Sequence, residues 1–213
     1  GEAPPPLLVF FHGGYWQELS KLDSRVAAAD AVGRGWAFAA VDYPLAPEAT
    51  VPEIVDECRT ALRALAQDAA SLGFDANCVV VAGSSAGAHL AAMVAATADP
   101  PIRGAVLVSG VFDLEPLIGT SINEALALDT PTARAHSPLH LDLDGFPPAL
   151  VAYGDNETDE FKAQSHAFAG RIDTATVLEV AGRNHFDVIL DLATPRTVLG
   201  DAVAALMEHH ADV

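Results

Sequence analysis

Residues 79–93 read Val79-Val80-Val81-Ala82-Gly83-Ser84-Ser85-Ala86-Gly87-Ala88-His89-Leu90-Ala91-Ala92-Met93. This stretch decides the fold. It opens as an apolar β-branched run, turns through Gly83–Gly87 and continues as small-residue helix formers. A G-x-S-x-G sequence between a strand and a helix is the signature of a nucleophile elbow. The glycines allow a turn too tight for side chains at their positions. That turn lifts Ser85 to the top of a sheet with its hydroxyl exposed. The helix behind it points N-terminal amides at any anion forming beside the serine. An ordinary Gly-Ser turn would not explain the flanking strand and helix.

Working outward from the elbow, strands and helices alternate. Strands are predicted at Leu7–Phe11, Trp36–Val41, Cys78–Ala82, Ala105–Ser109, Ala149–Tyr153 and Ala175–Val180. The first of these is continuously apolar, as buried parallel strands are. Helices are predicted at Ser20–Arg34, Pro52–Leu72, Ala86–Thr97, Thr158–Arg171 and Pro195–His210. Ser20 and Asp23 have the spacing of a capping box. In Pro52–Leu72 the apolar residues Ile54, Val55, Cys58, Leu62 and Leu65 recur at helical spacing. This order predicts an α/β chain with a mainly parallel, doubly wound sheet. Residues 111–148 break the pattern into loops. They are expected to build part of a pocket above the strand ends, where open α/β sheets bind ligands.

Length and composition bound the reading. At 213 residues, 51% of them hydrophobic, the chain predicts one folded domain over 1–213 rather than a disordered segment. No apolar run approaches a membrane span, and no signal peptide is visible. The net charge is −18, from 11 basic and 29 acidic residues, so nucleic acid and anionic membranes are not expected partners. Two cysteines, Cys58 and Cys78, cannot make a disulfide framework and read as packing residues. A reducing cytoplasm suits them.

A serine hydroxyl is a weak nucleophile, needing a base and an acid to orient that base. Behind an elbow the acid follows the serine and the histidine comes last. Of eight histidines, His185 in Gly182-Arg183-Asn184-His185-Phe186 has that order, just after the last strand. Its rival, His89, lies one turn along the elbow helix and is expected to pack behind the nucleophile. The acid should follow Ala149–Tyr153, where Gly154-Asp155-Asn156-Glu157-Thr158-Asp159-Glu160 offers four. Glu157 fits a Gly-x-x-acid pattern, and Asp155 is the runner-up. Asp159 and Glu160 suit a helix N-terminus.

His12-Gly13-Gly14-Tyr15-Trp16 follows the first strand. The amides of Gly13 and Gly14, with that of Ala86, would form an oxyanion hole. Tyr15 and Trp16 are candidates to line an aromatic substrate pocket, or else to cover the core. No metal site is expected. His136 and His140 have a permissible ligand spacing, but no third ligand is suggested. Gly13-Gly14 lacks the pattern of a phosphate loop.

His12-Gly13-Gly14-Tyr15-Trp16-Gln17, Ala82–Met93, Ser109-Gly110-Val111-Phe112-Asp113-Leu114-Glu115-Pro116-Leu117 and Asn184-His185-Phe186-Asp187 resemble the kynurenine formamidase (arylformamidase) group of α/β-hydrolases. Asp42-Tyr43-Pro44-Leu45-Ala46-Pro47-Glu48 is shared more widely, with the hormone-sensitive-lipase-like esterases. The likeness runs from Leu7 to beyond Asp191. It implies an α/β-hydrolase fold with nucleophile Ser85, base His185 and acid Glu157, a position where the family more often has Asp. It also implies a small aromatic formamide or ester as substrate, and no cofactor. In a formamidase, Tyr15, Trp16 and the Val111–Leu117 loop would close the acyl side. A short-chain carboxylesterase with the same triad is the alternative, and a non-catalytic binding module the third reading. The family normally carries further strands before the HGG strand, and this sequence starts almost on it, as either a truncated piece or a reduced natural form would. A sheet edge left bare in this way would favour pairing of two copies as a homodimer.

Overall fold

The computed structural model describes residues 3–97 and 99–208. Six strands, β1 (Leu7–Phe11), β2 (Ala37–Val41), β3 (Val79–Ser84), β4 (Gly104–Val108), β5 (Ala149–Gly154) and β6 (Ala175–Val180), form one sheet. Its order is β2-β1-β3-β4-β5-β6, and every pair is parallel. The helices are α1 (Ala28–Gly33), α2 (Val51–Leu72), α3 (Ala86–Ala95), α4 (Asn123–Leu126), α5 (Thr130–Ala135), α6 (Asp159–Ala169) and α7 (Val198–Glu208). The closing helix was expected to reach His210. Residues 209 and 210 lie outside the described part. No described helix is long and apolar enough to cross a membrane.

The strands pack on both faces by simple alternation. Leu7, Val9, Phe11, Val79, Val81, Ala105 and Leu107 join one buried cluster with residues of α2, α3 and α6. Leu8, Phe10, Val80, Ala82, Val106 and Val108 join another with residues of α1 and α7. Burying each large apolar side chain contributes about 1.5–3 kcal/mol. The outer strands β2 and β6 are only partly covered, as edge strands are.

Local sequence sets the helix ends. Thr50 caps α2 through a capping box: Glu53 N donates to Thr50 Oγ1 at 3.4 Å, and Thr50 N donates to Glu53 Oε2 at 2.8 Å. Such a cap stabilises a helix by about 1 kcal/mol. Gly73 ends α2 in the left-handed region at φ 81°. Segment 20–34 departs from the expected single helix. It forms a 3₁₀ turn at Asp23–Ala27 and then the short α1. Ser20 does not cap α1, and its Oγ instead donates to Asp23 Oδ2 at 2.9 Å. Only Ser24, Ala27 and Ala31 of this segment are fully buried, too few to define one long amphipathic face.

The strand order reverses between β1 and β3, so the loops leaving their C-terminal ends border a crevice. Close helix packing there explains two glycines. A Cβ on Gly87 would collide with the Phe11 carbonyl, and one on Gly83 with the Gly87 carbonyl. The elbow helix therefore rests on bare strand backbone.

Candidate active site

Ser85 sits where β3 becomes α3, with φ 56° and ψ −120°. This backbone is costly for a residue with a Cβ, by about 1–3 kcal/mol. It is held in place on both sides. Ser85 N donates to Val108 O at 2.9 Å, and Ser85 O accepts from Ala88 N and His89 N at 3.0 and 3.2 Å. Ser85 is 6% exposed and lines a cavity of about 800 Å³. Ser84 also borders that cavity, but from the last position of β3. Among the described residues, Ser85 Oγ has no hydrogen-bond partner. Catalytic contacts are often unmade in unliganded sites.

The loop after β6 brings His185 to the same cavity. Asn184 N donates to Asp187 Oδ1 at 2.6 Å and Phe186 N to Asn184 Oδ1 at 2.8 Å, which folds the loop around the histidine. Glu157 Oε2 lies 2.9 Å from His185 Nδ1. The other carboxylate oxygen accepts from Ser109 Oγ at 2.5 Å and from Gly154 N at 2.7 Å. The Glu157 side chain has 0% exposure. Burial alone would raise its carboxyl, but the bonds from His185, Ser109 and Gly154 together hold it below the usual range.

Asp155 points elsewhere. Its Oδ1 accepts from Gly182 N at 2.8 Å, tying β5 to the turn after β6. A Cβ on Gly154 would strike the Arg183 carbonyl, so these two turns pack backbone to backbone. Asp159 and Glu160 stand in the first turn of α6, facing its positive end.

The loop after β1 lies against the elbow. A Cβ on Gly13 would fall 2.9 Å from Ser84 O and 3.3 Å from Ser85 Cβ. Gly14 has φ 97°, a conformation that favours glycine. Neither the Gly13 nor the Gly14 amide has an acceptor among the described residues. Ala86 is the first residue of α3, and its amide has no intrahelical partner. Tyr43 fixes the loop from behind. Its hydroxyl donates to His12 O at 2.6 Å, and its ring stacks on His12 at 4.1 Å. Burial pushes the His12 imidazole down from its ordinary value.

Tyr15 lines the cavity, but Trp16 does not. This corrects its assignment as a substrate-binding residue. Trp16 is 0% exposed and meets His89 edge-on at 4.9 Å. The left-handed turn through Gly14, Tyr15 and Trp16 sends the indole inward, where its large apolar area is buried. Segment Val111–Leu117 is also absent from the cavity lining, to which residues 111–148 contribute Ile122. It docks on α6 instead. Phe112 N and Asp113 N donate to Gln164 Oε1 at 2.7 and 2.9 Å, and Phe112 stacks on Phe168 at 4.3 Å.

His89 is fully buried behind the elbow, with Nε2 2.7 Å from the His136 carbonyl oxygen. Burial lowers its pKa to about 4. His136 and His140 do not pair as ligands. His136 Nδ1 lies 3.1 Å from Thr132 O on its own helix. His140 instead meets Asp113 and Glu115, a grouping across chain segments that spacing could not reveal. Arg134 neutralises Glu115 at 3.2 Å. Burial pushes the Cys58 thiol far up, while Cys78 Sγ accepts from Arg103 at 2.9 Å.

Several cavity residues carry no sequence motif: Leu19, Ile122, Phe161 and Ile189. Phe161 packs on the His185 ring at 4.2 Å. Phe186, 86% exposed, flanks that ring at 5.4 Å. Ser109 ends the predicted strand Ala105–Ser109, and its bond to Glu157 has no local sequence signal.

A protein-family profile described as alpha/beta hydrolase fold matches residues 8–186. The kynurenine formamidase of Danio rerio is 33% identical over 209 residues, covering 91% of this chain and 70% of its own. The carboxylesterase NlhH of Mycobacterium tuberculosis is 33% identical over 202 residues, covering 81% of this chain and 62% of its own. Among solved structures, an esterase of Pyrobaculum calidifontis superposes with a TM-score of 0.81 at 26% identity. That match covers 97% of this chain and 77% of the esterase.

Proposed function

The chain belongs to the kynurenine formamidase-like α/β-hydrolases, and from that premise we propose that it is a serine hydrolase acting on arylformamides. N-formyl-L-kynurenine is the substrate of first choice. The observation that carries the proposal is the buried Glu157 carboxylate, 2.9 Å from His185 Nδ1, beneath the cavity that Ser85 also lines.

In this reading Ser85 Oγ attacks the formyl carbon while His185 Nε2 takes the hydroxyl proton. Glu157 holds the imidazole by Nδ1 and stabilises its cationic form. The amides of Gly13, Gly14 and Ala86 receive the oxyanion, and losing one such donor costs about 3 kcal/mol. His185 then returns the proton to the departing arylamine as the C–N bond breaks. Water, deprotonated by the same histidine, attacks the formyl ester and releases formate and free Ser85. These steps call on no cofactor.

A second reading, a short-chain carboxylesterase, draws support from the roomy cavity and from the position of Val111–Leu117 away from it. One preparation assayed with N-formylkynurenine and with p-nitrophenyl esters separates the two. Formamide turnover exceeding ester turnover is expected. Ester turnover alone would favour the esterase. Failure of a fluorophosphonate probe to label Ser85 would remove both.

A further inference from the structure

We propose that Ser109 is a positioning residue for the triad acid, fixing the Glu157 carboxylate so that its second oxygen meets His185. The inference rests on the triad reading above. Ser109 directly follows β4, as Ser85 directly follows β3. Both have left-handed backbones, φ 50° and 56°. Their amides bond to neighbouring strands in the same way: Ser85 N to Val108 O at 2.9 Å, Ser109 N to Ala152 O at 2.7 Å. Glycine would take that conformation at less cost. Ser109 is 0% exposed, and its hydroxyl donates to Glu157 Oε1. The strained backbone thus aims one buried donor at one buried acceptor. Gly154 N supplies the second donor to that oxygen, leaving Oε2 for His185. A carboxylate with one oxygen anchored from two sides has little freedom to rotate away from the base.

The test is a double-mutant cycle on the whole chain, read with the best substrate. Ser109→Gly removes the hydroxyl and relaxes the backbone, and Ser109→Ala removes the hydroxyl alone. Both should lower kcat by roughly tenfold or more and leave KM within about twofold, with Ser109→Gly melting no lower than the parent. In a Glu157→Gln background, the same changes should alter kcat by less than about twofold, because the group they act through is already lost. An equal fold-loss in both backgrounds, or unchanged kcat in the single variants, overturns the proposal. Should Glu157→Gln itself keep full kcat while the probe labels Ser85, the triad acid is misassigned. Absent labelling of the parent chain would instead refute the hydrolase reading.

Discussion

His185 Nδ1 is 2.9 Å from a Glu157 oxygen that belongs to a side chain with no exposed surface. A buried carboxylate is tolerated only when its lone pairs are occupied, and Glu157 meets that condition with Ser109, Gly154 and His185. Glu157→Gln should therefore lower kcat by about 10²–10⁴-fold, since the imidazolium loses its counter-charge. Asp155→Asn should cost under about tenfold, because Asp155 braces a turn through Gly182. Steady-state kinetics of the two variants decide between them. A larger loss from Asp155→Asn would reverse the order.

Ser84 and Ser85 both reach the cavity, yet only Ser85 occupies the left-handed elbow position. Ser85→Ala should reduce kcat by roughly 10³-fold or more, with the melting temperature within a few degrees of the parent. Ser84→Ala should keep most activity. Mass spectrometry after fluorophosphonate treatment should place the adduct on Ser85. An adduct on Ser84 would shift the frame of the elbow by one residue.

The sequence reveals most where local rules act alone. β1 matches the predicted strand because a continuous apolar run between turns leaves little choice, and Ala175–Val180 matches because β-branched residues cluster there before the turn at Gly182. The elbow was readable because strand, glycines and helix agree over one short stretch. Boundaries differ from the apolar pattern where a cap sets them: α2 starts at Val51 rather than Pro52 because Thr50 is its N-cap. The cap pattern of segment 20–34 predicts one helix, but Leu22, Val26 and Val32 are exposed and too few of its residues are buried to define a long face. Trp16 shows a different limit. Burial or exposure after a Gly-Gly turn depends on backbone torsions that residue types do not encode. Ser109 and Ile122 reach the site through tertiary contacts alone, so no spacing argument could find them.

His89 makes acid stability testable. Its folded pKa, about 4, lies below the unfolded histidine value of 6.5. The unfolded chain therefore binds more protons between those values. Stability is full above about pH 6.5 and falls as pH drops towards 4, by about 3 kcal/mol from this group. His12 acts in the same direction, and Glu157 does so at lower pH, where its carboxyl titrates. His89→Gln keeps a donor for the His136 carbonyl and cannot ionise. Urea unfolding across pH 4–7 should show a flatter pH dependence in this variant, even if its stability at pH 7 is lower. An unchanged slope would mean that His89 takes up its proton without unfolding.

The charge of the cavity should discriminate among leaving groups. Glu18 and Asp23 border it, and among the described residues no lysine or arginine does. A carboxylate on the leaving arylamine would meet repulsion of about 1 kcal/mol, or roughly fivefold in kcat/KM. Formanilide should thus be cleaved faster than N-formylanthranilate once intrinsic reactivity is corrected. The gap should narrow in high salt and in Asp23→Asn. A preference for the anion would point to a cationic contact made only with substrate bound.

Acyl-chain length separates formamidase from esterase. A formyl group needs no space beyond the oxyanion donors, whereas longer acids need an apolar wall. Trp16 and Val111–Leu117 do not border the cavity, so Tyr15 is the one residue of the expected acyl barrier that does. Under the formamidase reading, activity on p-nitrophenyl esters should fall beyond acetate, and Tyr15→Ala should flatten that fall. Each methylene accommodated in an apolar pocket is worth about 1–3 kcal/mol, or roughly 10–200-fold in kcat/KM, so the trend is easily measured. Activity that climbs from acetate to butyrate in the parent chain, with no turnover of N-formylkynurenine, would assign the site to ester hydrolysis. Tyr15 would then act as a wall of the acyl pocket rather than as its stopper.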